Sequence, residues 1–263
     1  MTFNHALPTA LSPSRLQDFQ ACPRRFQYAS IERIAQPATY ATAKGRFAHY
    51  VFEHLFKLEP DERTIERARG FVSPAQASVL DERVREDLAM DEAMFDKMTR
   101  EVEDIIVRYF KMEEPTTVRH EGVELRLSVE VEGVPMLGIL DRLDRAESGE
   151  LVIVDYKTGS LPNRDYDTKT FANTELYAAL CEAKFGERPL SIRLLYVAHG
   201  QAIERRVSDV VVRARTSAAV KAWERIHRYY DEGAFPATPS LNTCRFCAYQ
   251  TQCRASGVSV PTR

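Results

Sequence analysis

The sequence predicts an α/β fold on three observations. Apolar residues recur at helical spacing through much of the first 115 residues. Between residues 118 and 157 they alternate or form a short continuous run, as they do in strands. The chain then reads as a helix, two strands and a long helix. Strands interleaved with helices are typical of a sheet covered by helices, and 263 residues suffice for one such core with a helical elaboration.

The N-terminal part is predicted to be a helical arm. Ser12 caps a first helix that has Pro13 in its first turn, and Cys22-Pro23 interrupts that helix. Residues 60–92 are charged and poorly periodic, which predicts surface helices or a mobile insertion. The other helices predicted here cover residues 24–31, 44–58 and 95–109.

Three strands are predicted next. Residues 118–134 alternate, residues 136–140 lead into Asp141, and residues 151–157 form an apolar strand that ends in charged side chains. Alternation puts the apolar residues of the first strand on one side, namely Val123, Leu125, Leu127, Val129 and Val131. The later elements are a helix over 171–184, strands over 191–198 and 201–207, and a helix over 210–230.

Charged residues gather where the third strand ends. Asp155 and Lys157 are two positions apart, so they point to the same side while Tyr156 points away. Asp141 follows the neighbouring strand, so two carboxylates and an ammonium converge. A structural Asp–Lys ion pair would explain two of these charges. All three together favour a hard divalent cation, Mg²⁺ or Mn²⁺, because buried carboxylates need compensation.

These residues resemble a known family. G-x-x-D-R-L-D from Gly138 and V-D-Y-K-T-G from Val154 look like motifs of the PD-(D/E)XK nuclease superfamily, in its RecB and AddB exonuclease-like branch, which also includes the CRISPR adaptation nucleases. Residues 44–49 resemble the upstream G-x-x-x-H motif, and residues 173–177 stand where the family has Q-x-x-x-Y. The resemblance runs from residue 11 to 253 and implies a restriction-endonuclease-like core, a mixed central sheet flanked by helices.

The resemblance implies the residues of a catalytic metal site. It assigns catalysis to Asp141, Asp155 and Lys157. The metal ligands that it implies are His49, Asp141, Asp155 and the backbone carbonyl of Tyr156. Glu124 on the first strand is a further candidate ligand, and Glu121 competes with it because alternation alone does not separate them. The implied reaction is metal-assisted phosphodiester hydrolysis, in which Lys157, with a lowered pKa, orients or deprotonates the attacking water.

Charge distribution and motif position suggest where DNA binds. The net charge is −2, but residues 1–50 carry six Lys or Arg against two Asp or Glu, and residues 236–263 carry three Arg and no acid. Phosphate backbones bind such local basic patches, so Arg24 and Arg25 are predicted DNA contacts. Tyr177 and Asn173 lie one helical turn apart and are also predicted to contact DNA, although Asn173 is shorter than the family's Gln.

Four cysteines form a second candidate site. Cys244, Cys247 and Cys253 are closely spaced, and thiolates at such spacing bind zinc or an iron–sulfur cluster. Cys22, in a Cys-Pro-Arg-Arg-Phe segment, resembles the first cluster ligand of the family. The resemblance therefore implies a four-cysteine [4Fe–4S] cluster joining both ends of the chain, and Zn²⁺ remains the rival occupant.

We expect one structural unit of three segments: residues 1–115 as arm and insertion with the first cluster cysteine and the histidine motif, 116–235 as nuclease core, and 236–263 as cluster segment.

No apolar run approaches the roughly 18 residues of a membrane helix. The N-terminus lacks the basic and apolar regions of a secretion signal, so we expect a cytoplasmic protein with no membrane partner.

The expected function is a DNA nuclease of the RecB-like exonuclease type, acting on single-stranded DNA or duplex ends in DNA repair, recombination or CRISPR adaptation. The alternative is a non-catalytic nucleic-acid-binding or adaptor module of the same fold within a helicase–nuclease or CRISPR complex. The sequence has no G-x-x-x-x-G-K-[ST] motif. No nucleotide cofactor is therefore expected, and ATP-driven unwinding would come from a partner.

Overall fold

The computed structural model describes residues 3, 5–162 and 167–253. The last ten residues of the predicted cluster segment, 254–263, lie outside this range, as do residues 1, 2 and 4 of the predicted arm. Among the helices described, none has a stretch that is both long enough and apolar enough to span a membrane.

A five-stranded mixed sheet forms the centre of the fold. Its strands are β1 (His120–Val131), β2 (Val134–Arg145), β3 (Leu151–Lys157), β4 (Ser191–Tyr196) and β5 (Gln201–Arg206), and they lie in that spatial order. Only β3 and β4 pair in parallel, and the other neighbours are antiparallel. The parallel pair is joined by a helical crossover, as parallel strands require.

Helices surround the sheet. They are α1 (Pro13–Ala21), α2 (Pro23–Phe26), α3 (Tyr40–Phe56), α4 (Ile65–Gly70), α5 (Val72–Val79), α6 (Glu82–Asp87), α7 (Glu92–Tyr109), α8 (Asp167–Phe185), α9 (Asp209–Asp231) and α10 (Leu241–Cys244). A π-helical turn over Gln27–Ile31 follows α2. Ser12 caps α1 by accepting a hydrogen bond from the backbone N–H of Arg15, as the sequence predicted.

The sheet separates two apolar cores. In β3, Leu151 and Ile153 face the core built by α1, α2, α8 and α9, whereas Val152, Val154 and Tyr156 face the core built by α3 to α7. Both faces of β3 are therefore buried. This explains why its sequence is continuously apolar until Asp155.

Two predictions can now be decided. Of the alternatives for residues 60–92, surface helices are confirmed as α4, α5 and α6, which bury Ala68, Ala75 and Val79 in the second core. The predicted end of the second strand needs correction. Asp141 lies inside β2, which continues to Arg145, because the strand goes on pairing with both of its neighbours beyond this acid.

The predicted apolar face of the first strand is also broken. Leu125, Leu127, Val129 and Val131 lie on the first core, but Val123 packs against the second. Residues two apart share a face in a regular strand, so the strand must turn between Val123 and Leu125. Glu124 sits at that turn with a φ of 45°, in the left-handed region.

A buried arginine anchors the middle of the sheet. The side chain of Arg142 in β2 is 0% exposed, and it donates two hydrogen bonds each to the carboxylates of Asp144 (2.7 and 2.9 Å) and Glu113 (2.6 and 3.1 Å). It also donates to the hydroxyl of Tyr156 at 2.7 Å and lies over the ring of Phe56. A guanidinium taken out of water needs this many partners, because an unpaired buried charge is strongly unfavourable.

The Arg142 network should dominate the stability of the sheet. We expect Arg142→Met to lower the free energy of unfolding by about 3–5 kcal/mol, because two carboxylates would remain buried without their cation. Urea denaturation measures the loss. Arg145→Ala is the matched control, since Arg145 also contacts two carboxylates, of Glu121 and Glu187, but is 33% exposed. Equal losses for the two variants would contradict this role.

Candidate metal and nuclease site

The site forms where β2 and β3 separate. Their pairing ends at Arg142 and Val154, so the backbone N–H of Tyr156 has no partner on β2. The carboxylate of Asp141 accepts this hydrogen bond through Oδ2 at 2.8 Å. A side chain thus replaces a backbone acceptor of the ladder, which satisfies a donor that burial would otherwise leave unpaired. Asp141 is held in place with its Oδ1 still available.

His49 approaches this acid from α3. Its Nδ1 lies 3.4 Å from Oδ1 of Asp141, and its Nε2 lies 3.0 Å from the carbonyl oxygen of Tyr156. Burial alone would lower the pKa of His49, but the hydrogen bond and charge of Asp141 outweigh it and raise the pKa to about 9. Gly45 permits the close approach of α3, since a Cβ there would lie 3.3 Å from Oγ1 of Thr158.

Glu124 joins these residues because β1 is distorted. The register of the β1–β2 ladder puts Glu124 opposite Asp141. The residues on either side of this pair are paired regularly, but Glu124 and Asp141 themselves are not. One ligand atom each of His49, Glu124 and Asp141 lies within 4.8 Å of the others. Burial, followed by the charge of Asp141, raises the pKa of Glu124. The competing acid, Glu121, instead pairs with Arg145 at 2.7 Å.

Asp155 and Lys157 form the other half of the site. They point to the same side of β3, with Nζ of Lys157 2.6 Å from Oδ2 of Asp155. Burial, followed by the charge of Asp141, raises the pKa of Asp155 to about 6. Burial lowers the pKa of Lys157, but the charge of Asp155 outweighs it and the pKa rises above its usual value. The lowered pKa expected for Lys157 is therefore wrong, because the adjacent carboxylate stabilises the ammonium.

The donor set fits a hard divalent cation. It offers carboxylate, carbonyl and imidazole groups, which Mg²⁺ and Mn²⁺ accept. Oδ2 of Asp155 is buried and is paired with the Lys157 ammonium at 2.6 Å. Asp141 and Glu124 add two more carboxylates beside this pair, and a bound cation would compensate their charge. Asp155 lies outside the three-residue group, so the structure brings together His49, Glu124 and Asp141 directly and places Asp155 beside them.

Tyr177 borders the same acids from α8. A Cβ at Gly138 would lie 2.4 Å from Cε1 of Tyr177, so only glycine leaves room for this ring. Burial, followed by the charges of Asp155 and Asp141, raises the pKa of Tyr177 to about 12. Asn173 donates from Nδ2 to Oε1 of Gln17 on α1 at 3.0 Å.

The predicted DNA contacts at the N-terminus are engaged within the protein. Nε of Arg24 donates to the carbonyl of Phe235 at 2.7 Å, and Nε of Arg25 pairs with Asp18 at 2.7 Å. Each arginine therefore ties α2 to another part of the chain. A DNA contact from Arg24, Arg25, Asn173 or Tyr177 stays a prediction.

The four predicted cluster cysteines line one pocket. Cys22 comes from the start of α2, and Cys244, Cys247 and Cys253 come from the C-terminal segment. The backbone N–H of Thr238 donates to Sγ of Cys22 at 3.4 Å. No three cysteine sulfurs among the described residues lie within 4.8 Å of one another.

A cleft of about 500 Å³ opens onto His49, Glu124 and Asp141. Arg46, Tyr50 and Glu53 of α3 also line it, and β2 contributes Ile139. Arg46 and Tyr50 were not among the predicted site residues. The signal that could have identified them is the i, i+3, i+4, i+7 spacing of Arg46, His49, Tyr50 and Glu53, which puts all four on one side of a helix.

Comparisons with known proteins agree with this architecture. The family model described as PD-(D/E)XK nuclease superfamily matches residues 10–254. A crystal structure from Eubacterium rectale, described as a candidate exonuclease, aligns with 94% of this chain and 87% of its own at a TM-score of 0.61 and 13% identity, which shows a shared fold. The solved structure of SSO0001 aligns with 92% of this chain and 93% of its own at 13% identity and a TM-score of 0.38, too low to support an argument. Among curated proteins there is no match.

Glu124 should contribute to cation affinity, and Glu121 should not. We expect Glu124→Gln to weaken Mn²⁺ binding by about tenfold or more, because one charged oxygen of the group is lost. Titration calorimetry measures the affinity. Glu121→Gln, on the same strand but paired with Arg145, is the control and should bind Mn²⁺ as the unmodified protein does. Equal effects in both variants would rule out a special role for Glu124.

Proposed function

Because this chain belongs to the PD-(D/E)XK nuclease superfamily, we propose that it is a metal-dependent deoxyribonuclease of the RecB/AddB exonuclease-like branch. Its substrate in this proposal is single-stranded DNA or a duplex end. The carrying observation is the convergence of His49, Glu124 and Asp141 within 4.8 Å of one another beside the Asp155–Lys157 pair. These residues come from a helix and three different strands, and folding alone does not require such a meeting of charges.

In this proposal His49, Asp141, Asp155, Glu124 and the Tyr156 carbonyl hold Mg²⁺ or Mn²⁺. When bound, such an ion makes water more acidic and neutralises charge on the scissile phosphate. Asp141 is fixed for this task by the Tyr156 N–H, and Tyr156 is itself fixed by Arg142. The ammonium of Lys157, held by Asp155, donates hydrogen bonds to the attacking water or to a phosphate oxygen.

The nuclease proposal is tested with end-labelled single-stranded and duplex DNA, with and without Mn²⁺. We expect cleavage only with the metal ion, and a fall of at least about 10²- to 10³-fold in Lys157→Ala, because a donor to the developing charge is lost. The cleavage activity of Asp155→Ala should fall by a similar factor, and this variant should remain folded. Lys221→Ala, an exposed residue of α9, is the control.

Two results would contradict the nuclease proposal. The first is intact DNA under all conditions with the cysteine site loaded. The second is DNA binding that is equal with and without divalent metal in a protein that never cuts, which would favour the non-catalytic adaptor. The pattern of labelled products also reports polarity and whether cutting begins at an end.

We also propose that Cys22, Cys244, Cys247 and Cys253 bind a [4Fe–4S] cluster. Support comes from all four cysteines lining one pocket, since thiolates are the ligands that such a cluster uses. The N–H of Thr238 directed at Cys22 is a further hydrogen bond of the kind that tunes cluster sulfurs.

Metal analysis of anaerobically purified protein tests the cluster. We expect a brown protein containing iron, and Cys22→Ser should lose that colour and iron because one of four thiolates is gone. Cys181→Ser is the control, since Cys181 is buried in the first core away from the pocket. Stoichiometric zinc with no iron would contradict the proposal.

We propose further that residues 1–115, 116–235 and 236–263 act as one structural unit. In this proposal the protein is cytoplasmic, and it serves DNA repair, recombination or CRISPR adaptation together with a helicase or CRISPR partner. Support for the unit comes from side chains of all three segments in shared contacts. Phe19 and Phe26 share the first core with Phe235, and Tyr249 lies beside Tyr28.

A further inference from the structure

One stripe of α3 faces the cleft beside the metal group. Arg46, His49, Tyr50 and Glu53 all line it, and they are spaced so that they share one side of a helix. His49 belongs to the metal group. Arg46 and Tyr50 are four residues apart, about one helical turn, and neither belongs to the metal group.

The ring of Tyr50 is supported from behind. Its centroid lies 3.9 Å from the centroid of His54, with 18° between the ring planes, and His54 in turn lies 5.5 Å from Phe71 of the linker between α4 and α5. Nδ1 of His54 is 2.8 Å from the carbonyl of Tyr50, which orients the imidazole. Tyr50 is half-buried: it packs against the second core and also lines the cleft.

The surroundings of Tyr50 suit one kind of ligand. Arg46 is exposed, and no carboxylate of the described residues forms an ion pair with it. Ile139, on β2, is 45% exposed in the same cleft although it is a large apolar side chain. A cation, an aromatic face and an apolar side chain beside a metal group match a nucleotide, which carries a phosphate and a flat base.

We propose that Tyr50, backed by His54 and Phe71, is a stacking platform for one unpaired nucleobase next to the scissile phosphate, and that Arg46 binds a neighbouring backbone phosphate. This inference rests on the proposed nuclease function and adds its substrate-positioning residues. The base must be unpaired, because a paired base has its faces covered by its neighbours in the duplex. Tyr50 and Arg46 are positioning residues, since neither belongs to the metal group.

A purely structural role for Tyr50 makes a different prediction. Aromatic pairs four residues apart also stabilise a helix by themselves. In that case replacing Tyr50 would lower stability, but the effect on DNA binding would not depend on which base of the oligonucleotide is present. Dependence on one base position is therefore the deciding observation.

The test uses full-length, cluster-loaded protein in the Lys157→Ala background, so that DNA is bound and not cut. Binding is measured to single-stranded oligonucleotides in which one abasic position is moved along the strand. With Tyr50 present, we expect one position where removal of the base weakens binding about 5- to 100-fold. Tyr50→Phe, which keeps the ring, should show the same loss.

Tyr50→Leu keeps apolar bulk but removes the ring. It should bind the intact oligonucleotide about 5- to 100-fold more weakly, with no further loss at the abasic position. The platform is overturned if Tyr50→Leu shows the same loss of binding at the abasic position. It is also overturned if the unmodified protein cleaves DNA but no abasic position weakens binding. Either result leaves the nuclease proposal standing. Absence of all DNA binding and cleavage overturns both. A scan on the Tyr50 protein that finds no sensitive position overturns the platform without any variant, so the proposal stays falsifiable even if Tyr50→Leu folds poorly.

Arg46 is tested through salt dependence. Arg46→Gln should reduce the slope of log affinity against log salt by about one, as expected for one lost phosphate contact. Arg213→Gln, an exposed arginine of α9 that does not line the cleft, is the control and should leave the slope unchanged. An unchanged slope in Arg46→Gln would overturn the phosphate contact.

Discussion

The hydrogen bond from the Tyr156 backbone N–H to Asp141 is the interaction on which the site depends. It lets β2 and β3 part after Arg142 and Val154 without leaving a buried donor unpaired. The gap that opens where the pairing of β2 and β3 stops leaves the carboxylate of Asp141 partly exposed, although both strands lie inside the sheet. His49 then enters from α3 and meets both Asp141 and the carbonyl of Tyr156.

Tyr156 connects this site to the stability of the sheet. Its backbone contributes the N–H and the carbonyl at the site, while its ring is buried in the second core against Phe52 and its hydroxyl accepts from Arg142. Arg142 in turn is neutralised by Glu113 and Asp144. The charges that anchor the strand therefore contact the side chain of Tyr156, whereas those of the site contact its backbone.

The two ends of the described chain are joined by polar contacts as well as by apolar packing. Arg24 donates to the carbonyl of Phe235, and Gln36 donates to the hydroxyl of Tyr249 at 2.7 Å. Cys22 and Cys253 face the same pocket although 231 positions separate them. These contacts bring the four cysteines to one pocket by themselves.

Local pattern determined much of this protein. The strand at 151–157, the shared side of Asp155 and Lys157, the capped first helix and the family motifs all follow from neighbouring residues, because period and capping are local properties. Tertiary structure alone decided three things: that Glu124 and not Glu121 meets Asp141, that Val123 leaves the face of Leu125, and that Arg142 is buried. Each depends on charges and space supplied by elements far apart in sequence. Glu124 adopts a positive φ at a non-glycine residue, a conformation that costs energy and that alternation in the sequence does not encode.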